Sequence, residues 1–258
     1  MNSNNWNSWK TYLEELADPQ FVDTSSLLSK SSLPEELWAS NENLSPEILQ
    51  AALRIAHEYF QDLKLDPSVK IKDITLTGSL ASYNWSDMSD FDLHILIDFN
   101  QLGDRELLED YLRQKSRVWN MTHKILFKGF EVEIYVQDAN EPHYSAGIYS
   151  LMNNRWIKRP TRSKMNIDYQ TVKEKAARIM SEIDDAYDSF AEKYFLEAKE
   201  SADAIMERLK RYRKAGLETG GIFSVENLVF KVLRRNDYLE KLSNIRTDSY
   251  DAFMGVNQ

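Results

Sequence analysis

The sequence predicts a mixed α/β fold, a small mixed sheet flanked by helices and followed by an all-helical C-terminal domain. Three observations predict it. Residues 91–99 alternate: Phe91, Leu93, Ile95, Ile97 and Phe99 are apolar, while the even positions include Asp90, Asp92, His94 and Asp98, the period of a strand with one buried face. Before it, Leu49, Ala52, Leu53, Ala56, Tyr59 and Phe60 keep one apolar stripe at helical spacing. After it, Asp168 to Ala215 holds no Gly or Pro, and Val172, Ile179, Ile183, Phe190, Tyr194, Ile205 and Leu209 recur with a helical period.

The elements follow in order. Residues 1–44 form an N-terminal extension of a short amphipathic piece and a Ser-rich stretch, in which Ser32-Leu33-Pro34-Glu35 fits a capping box and predicts a short helix. A stronger helix starts at Ser45-Pro46 and is ended by Asp66-Pro67. Ile71 to Thr77 reads as a strand running into Gly78-Ser79. Residues 104–118 read as a helix with Leu107, Leu108, Tyr111 and Leu112 facing inward. Ile125 to Phe127, the turn Lys128-Gly129 and Phe130 to Val136 form a hairpin. The run from 168 to 215 is expected to fold into two packed helices, with Tyr194, Phe195 and Phe223 in the core, and Gly216, Gly220 and Gly221 break it. Ser224 then caps a last helix carrying Leu228, Val232, Leu233, Leu239 and Leu242. The organisation expected is therefore an extension (1–44), an α/β domain (45–160) and a helical domain (161–258) that closes the other side of a cleft.

Composition bounds the chemistry. With 258 residues, 42% hydrophobic and 12% aromatic, the chain can bury one large core or two small ones. A formal net charge of −9 argues against a surface that grips nucleic acid throughout, and leaves room for a local basic groove. The absence of cysteine removes disulfides, thiolate metal sites and a Cys nucleophile. Oxygen ligands and four histidines remain, which favour Mg²⁺-type over Zn²⁺-type chemistry. The polar start from Met1 to Trp6 and the lack of a ~20-residue apolar run predict a soluble, cytoplasmic protein with no membrane partner.

One constellation carries chemistry. Ten residues lie between Ser79 and Asp90, so a strand, a Gly-Ser turn and a short excursion lead into a strand that starts with two carboxylates. Asp90 and Asp92 point to the same face, with Cα atoms roughly 6–7 Å apart, a separation that suits oxygen ligands gripping a pair of metal ions. Gly78 lets the backbone approach a phosphate, and Ser79 can donate from its N–H and its hydroxyl. Glu133 lies on the polar face of its own strand and joins the aspartates if that strand pairs beside 91–99. Glu131 shares this face and is the alternative third carboxylate, while the run Val132 to Val136 favours Glu133. Three clustered carboxylates repel without a cation, which points to metal at Asp90, Asp92 and Glu133.

Gly78-Ser79, then Ser89-Asp90-Phe91-Asp92-Leu93, then Val132-Glu133-Ile134 resembles the DNA polymerase β-type nucleotidyltransferase superfamily over roughly residues 70–137. The helix at Glu226-Asn227-Leu228 is also similar to that of uncharacterised nucleotidyltransferases of large bacteriophages. The resemblance implies a nucleotidyltransferase-like fold and two divalent ions, Mg²⁺ or Mn²⁺, on the three carboxylates. It implies an NTP such as ATP bound at the Gly-Ser turn, and transfer of a nucleoside monophosphate to a hydroxyl with release of pyrophosphate. The sequence departs from the family pattern just after Gly-Ser, where many members carry Arg or Lys and a further Gly and this chain has Leu80, Ser82 and Tyr83. Positive charge for the β- and γ-phosphates must come from elsewhere, with Lys124, Lys128, Arg155, Lys158 and Arg159 as candidates.

His94 lies on the site face and reads as a polar lining residue or as support for a metal ligand. His143, in a loop soon after the Glu133 strand, reads as a loop cap or a substrate contact. The basic run Arg208 to Lys214 and the trio Lys231, Arg234 and Arg235 read first as solvated helix faces, with a positive wall for nucleotide or RNA phosphates as the functional alternative. RNA, a small molecule, a protein and a second nucleotide all stay open as acceptors. The competing class is a catalytically inactive nucleotide- or RNA-binding regulatory module on the same fold.

Overall fold

The computed structural model describes residues 19–39, 42–143, 145–162 and 167–255. The amphipathic piece expected at the amino terminus lies outside the described residues. The chain divides into two compact units, residues 29–163 and residues 1–28 with 164–258, taken here in turn. Leu33, Leu37, Trp38 and Leu44, expected in an extension, share the buried cluster of the sheet.

The first unit is a mixed α/β structure around a six-stranded sheet, in the order β3 (Leu126–Phe127), β4 (Phe130–Asp138), β2 (Phe91–Ile97), β1 (Ile71–Leu76), β5 (Ile148–Ser150) and β6 (Arg155–Lys158). Helix α1 (Pro46–Asp62) starts behind Ser45 with Pro at its first position and buries Ile48, Ala52, Ala56 and Tyr59. Strand β1 (Ile71–Leu76) pairs antiparallel with β2 (Phe91–Ile97). The expected alternation holds, since Phe91, Leu93, Ile95 and Ile97 are fully buried. Helix α2 (Arg105–Thr122) is capped by Asp104, whose carboxylate accepts from the Leu107 N–H. Strands β3 (Leu126–Phe127) and β4 (Phe130–Asp138) form the expected hairpin. Its two turn residues have positive φ, 52° at Lys128 and 100° at Gly129, the geometry that matches the twist of the flanking strands.

Two expectations for this unit need correction. Leu107 and Tyr111 do not face inward; they are 66% and 36% exposed, and α2 buries Leu112 and Ser116 instead. The apolar pairs of that helix straddle a narrow contact stripe, so only one of each pair reaches the core. Residues 34–37 form a single turn rather than a helix, because the chain bends at once into a bridge between Trp38 and Leu44. The sheet is also extended by β5 (Ile148–Ser150) and β6 (Arg155–Lys158), which the hydrophobic pattern did not announce. They are held by a cluster of rings: Trp38 stacks on Trp156 at 4.7 Å and meets Tyr149 edge-on at 5.0 Å.

Two side chains finish the β4 strand. Beyond the short β3 pairing, Asn120 of α2 accepts from the Ile134 N–H at 2.9 Å and donates to the Ile134 carbonyl at 3.3 Å. Its amide thus stands in for a neighbouring strand. Asn120→Ala is expected to lower stability by about 1–3 kcal/mol, because both main-chain groups lose a partner in a half-buried place. Urea unfolding measures it, and a loss under about 0.5 kcal/mol would show that water replaces the amide. At the far end, Asp138 is 2% exposed and accepts from the Phe99 and Asn140 N–H groups and from Arg105 at 3.0 Å. Burial pushes this carboxyl up, but those donors and the Arg105 charge together hold it below the usual carboxylate range. A depressed folded value means stability that is complete above the unfolded carboxyl value of about 3.9 and is lost as pH falls through the folded one. Asp138→Asn is expected to flatten that acid limb in thermal melts below about pH 4.

The second unit is helical. Helix α3 (Tyr169–Ala191) and helix α4 (Phe195–Gly220) are the two helices expected from 168–215. They part at Lys193, with φ of 70°. Tyr194 lies in that break and is 59% exposed rather than core. The expected last helix is two, α5 (Val225–Arg235) and α6 (Tyr238–Met254). Asp237 takes a left-handed φ of 62° between them, and the Asn236 amide donates to the carbonyls of Val232 and Asp23. Ser224 caps α5 as expected, accepting from the Asn227 N–H at 3.3 Å. Small residues at the contacts (Ala176, Ala198, Ala202) let the helices close on Val172, Met180, Leu209, Val232 and Leu242. Within the basic run, Arg208 pairs with Glu182, Lys210 with Glu207, and Arg213 lies over Phe230 and donates to Asn227. No helix among the described residues is long and apolar enough to cross a membrane.

Candidate active site

The polar face of the sheet is built around the turn that leaves β1. The Thr77 N–H donates to the Asp92 carbonyl at 3.2 Å, and the chain then turns at Gly78 with φ of 75°. The Asp92 carboxylate lies directly on that glycine, since a Cβ at position 78 would stand 1.8 Å from Asp92 Oδ2. The excursion from 79 to 89 is closed on itself: Ser79 Oγ donates to Ser89 Oγ at 2.8 Å, and Ser89 Oγ accepts from the Ser86 N–H at 3.0 Å. The Ser79 hydroxyl is therefore engaged within the loop. Trp38 Nε1 donates to the Leu80 carbonyl at 2.9 Å, and Gly147 at the start of β5 passes so near that a Cβ there would stand 1.9 Å from the Ala81 carbonyl oxygen. The Gly-Ser turn is thus braced from two sides by segments whose part in it the sequence did not signal.

Strand pairing brings the carboxylates together. Strands β2 and β4 run parallel with Asp92 opposite Glu133, His94 opposite Tyr135 and Leu96 opposite Gln137. Paired residues share a face, and Asp90, two positions before Asp92, belongs to the same one. Of the two glutamates considered, the register puts Glu133 beside Asp92, whereas Glu131 pairs with Leu126 in the hairpin and is bound by Lys124 at 2.9 Å. The Tyr135 hydroxyl donates to Glu133. Burial, that bond and the charges of Glu133, Asp92 and Asp90 push the hydroxyl above its usual range, so all three carboxylates act on one group. The bond to Glu131 and its charge raise the Lys124 ammonium, with smaller contributions from Glu133 and Asp90.

Among the described residues, no three His, Asp or Glu side chains converge closely enough to form a metal-holding group. The three carboxylates share a face and an electrostatic neighbourhood, with Asp92 seated on Gly78 and Glu133 held by Tyr135. Their oxygen donors are of the kind that suits a hard divalent cation.

Burial holds the His94 ring down at about 4, against a hydrogen bond between the ring and the Gln137 side chain, and with a small push from His143. His94 is therefore neutral at pH 7 and cannot supply positive charge. Among the described residues, its Nδ1 and the facing Thr75 Oγ1 are buried without a hydrogen-bond partner. His143, half-buried in the loop after β4, comes near His94. Lys158 is not brought to the carboxylates by the sheet: β6 lies three strands from β2, about 14 Å across, and its ammonium donates to the Ser145 carbonyl at 2.8 Å. Lys128 and Arg159 are paired with Glu47 and Glu42, and Arg155 lies on β6; Lys124, although paired with Glu131, is the expected cation on which the charges of Glu133 and Asp90 act. Arg117 of α2 was not among the expected residues; its only signal was helical spacing from Asn120 and Lys124. No family model, no curated protein and no solved structure matches this chain.

Proposed function

We propose that the protein is a metal-dependent nucleotidyltransferase of the polymerase β type, its sheet unit being the catalytic domain and its helical unit an accessory domain. The observation that carries the reading is the parallel register of Asp92 with Glu133, joined to a Gly78 turn on which Asp92 rests. Asp90, Asp92 and Glu133 are the residues that would hold Mg²⁺ or Mn²⁺, and two such ions would neutralise the triphosphate and align the reacting oxygens. The left-handed turn at Gly78 lets the main chain approach the phosphates of an NTP. Glu133 accepts the proton of the acceptor hydroxyl as its oxygen bonds to the α-phosphorus, and the bond to the β-phosphate oxygen breaks to release pyrophosphate. Tyr135 keeps Glu133 turned toward that proton. Positioning and charge neutralisation supply most of the rate.

The test is incubation with labelled ATP, CTP, GTP and UTP, Mg²⁺ or Mn²⁺, and pooled RNA, protein and small-molecule acceptors. Label is expected to move to one pool with formation of pyrophosphate. Transfer that survives in an Asp90→Ala, Asp92→Ala variant would defeat the reading. NTP binding in calorimetry that is indifferent to metal, with no transfer, would favour an inactive binding module.

A further inference from the structure

A cavity of about 700 Å³ runs between α2 and strand β4. Helix α2 lies antiparallel to the strand, since Arg105 at the start of the helix reaches Asp138 at the end of the strand, while Asn120 near the end of the helix bonds to Ile134 at the middle of the strand. The cavity is lined by Glu133, Tyr135, Gln137 and His94 on the sheet side, and it is not lined by Gly78, Ser79, Asp90 or Asp92. A molecule seated in it therefore meets the site from the Glu133 side, away from the turn assigned to the phosphates.

The charges along the cavity are mostly committed to one another. Arg113 pairs with Glu109 at 3.2 Å, Lys124 with Glu131 at 2.9 Å, and Asp138 with Arg105 at 3.0 Å. Arg117 also lines the cavity, and it makes no ion pair among the described residues. It sits one turn before Asn120, about 4.5 Å along the helix axis, and hence level with the strand just beyond Ile134. Further hydrogen-bonding groups complete the wall: the Tyr135 hydroxyl, the Gln137 amide and the His94 ring.

We propose that this cavity is the acceptor subsite, and that it takes a small hydroxylated molecule bearing one anionic group, which Arg117 grips while a hydroxyl is presented to Glu133. The proposal rests on the nucleotidyltransferase reading for the role of Glu133 and adds the substrate class. The volume is that of a small-molecule pocket. Glu109, Glu131 and Asp138 are offset by Arg113, Lys124 and Arg105, so Arg117 can hold one anionic group while the remaining carboxylates, Glu133 and Glu141, oppose the several charges of RNA. A single uncommitted guanidinium suits one phosphate or one carboxylate, bound in bidentate fashion.

The experiment is calorimetric titration of the full chain in EDTA without nucleotide, so that no step of transfer is involved. The probes are ribose 5-phosphate for the phosphate arm, gluconate for the carboxylate arm, uncharged ribose, and a single-stranded RNA oligonucleotide. At least one of the two acids is expected to bind, with ribose and RNA weaker, and binding is expected to fall about ten-fold or more in Arg117→Gln. Arg117→Lys should restore part of the loss, and Arg54→Gln, at an exposed position of α1 outside the cavity lining, should change nothing. Equal binding by Arg117→Gln and the parent chain, ribose binding as tightly as the acids, RNA binding alone, or no binding of either acid would each overturn the proposal. Since metal and NTP are absent, that failure leaves the labelled-nucleotide assay free to stand or fall separately.

Discussion

Asp92→Asn is expected to lower nucleotidyl transfer by about 10²–10³-fold while leaving the melting temperature within a few degrees. Asparagine keeps the shape that rests on Gly78 and the main-chain bond from Thr77 to the Asp92 carbonyl, so the turn has no reason to move. What it removes is a negative charge at the point where Asp90 and Glu133 also act on Tyr135. The electrostatic work assigned to this face needs all three charges, and one oxygen fewer for a cation is a loss felt most when the triphosphate is bound. Rates of label transfer at saturating NTP measure the effect, alongside thermal melts of the same preparations. Transfer within a few-fold of the parent rate would remove Asp92 from the chemistry and with it the proposed reading. A melting temperature lowered by ten degrees would instead mean that the carboxylate is structural, satisfied by contacts within the turn.

How far the residues foretell this site depends on the period of each element. A strand repeats every two residues, so Phe91 to Ile97 and Phe130 to Ile134 declared their buried faces, and with them the face of Asp90, Asp92 and Glu133. The partner of β2 was the further step, and the parallel register supplies it. Elements held by contacts remote in sequence were not legible. Strand β5 has three residues, all buried, and β6 is mostly exposed, so neither alternates; they exist because Tyr149 and Trp156 close on Trp38, more than a hundred residues away. The break at Asp237 carries no Gly or Pro, and depends on Asn236 reaching back to Asp23. On α2 the apolar residues are wider than the contact they make, so counting hydrophobic positions misplaced Leu107 and Tyr111. The cavity is invisible for a related reason, because it is the space left where Asn120 rather than a strand completes the β4 edge.

Gly78→Ala is expected to lower stability by about 2–4 kcal/mol and to abolish transfer. Two costs add at this position. An L-residue at φ of 75° loses about 1–2 kcal/mol relative to glycine. The added methyl would also stand 1.8 Å from Asp92 Oδ2, 2.8 Å from its Cγ and 3.3 Å from its Cβ, so the carboxylate must swing away or the turn must open. Opening is resisted by the Ser79–Ser89 bond, by Trp38 on the Leu80 carbonyl and by Gly147 under Ala81, and those braces leave Asp92 as the group that gives. The variant therefore separates the turn from the carboxylate: urea unfolding reads the backbone cost, and metal-dependent NTP binding reads the displaced ligand. A variant that loses stability but binds NTP and metal as before would show that Asp92 tolerates displacement. That result would break the link between the glycine turn and the carboxylates on which the site depends.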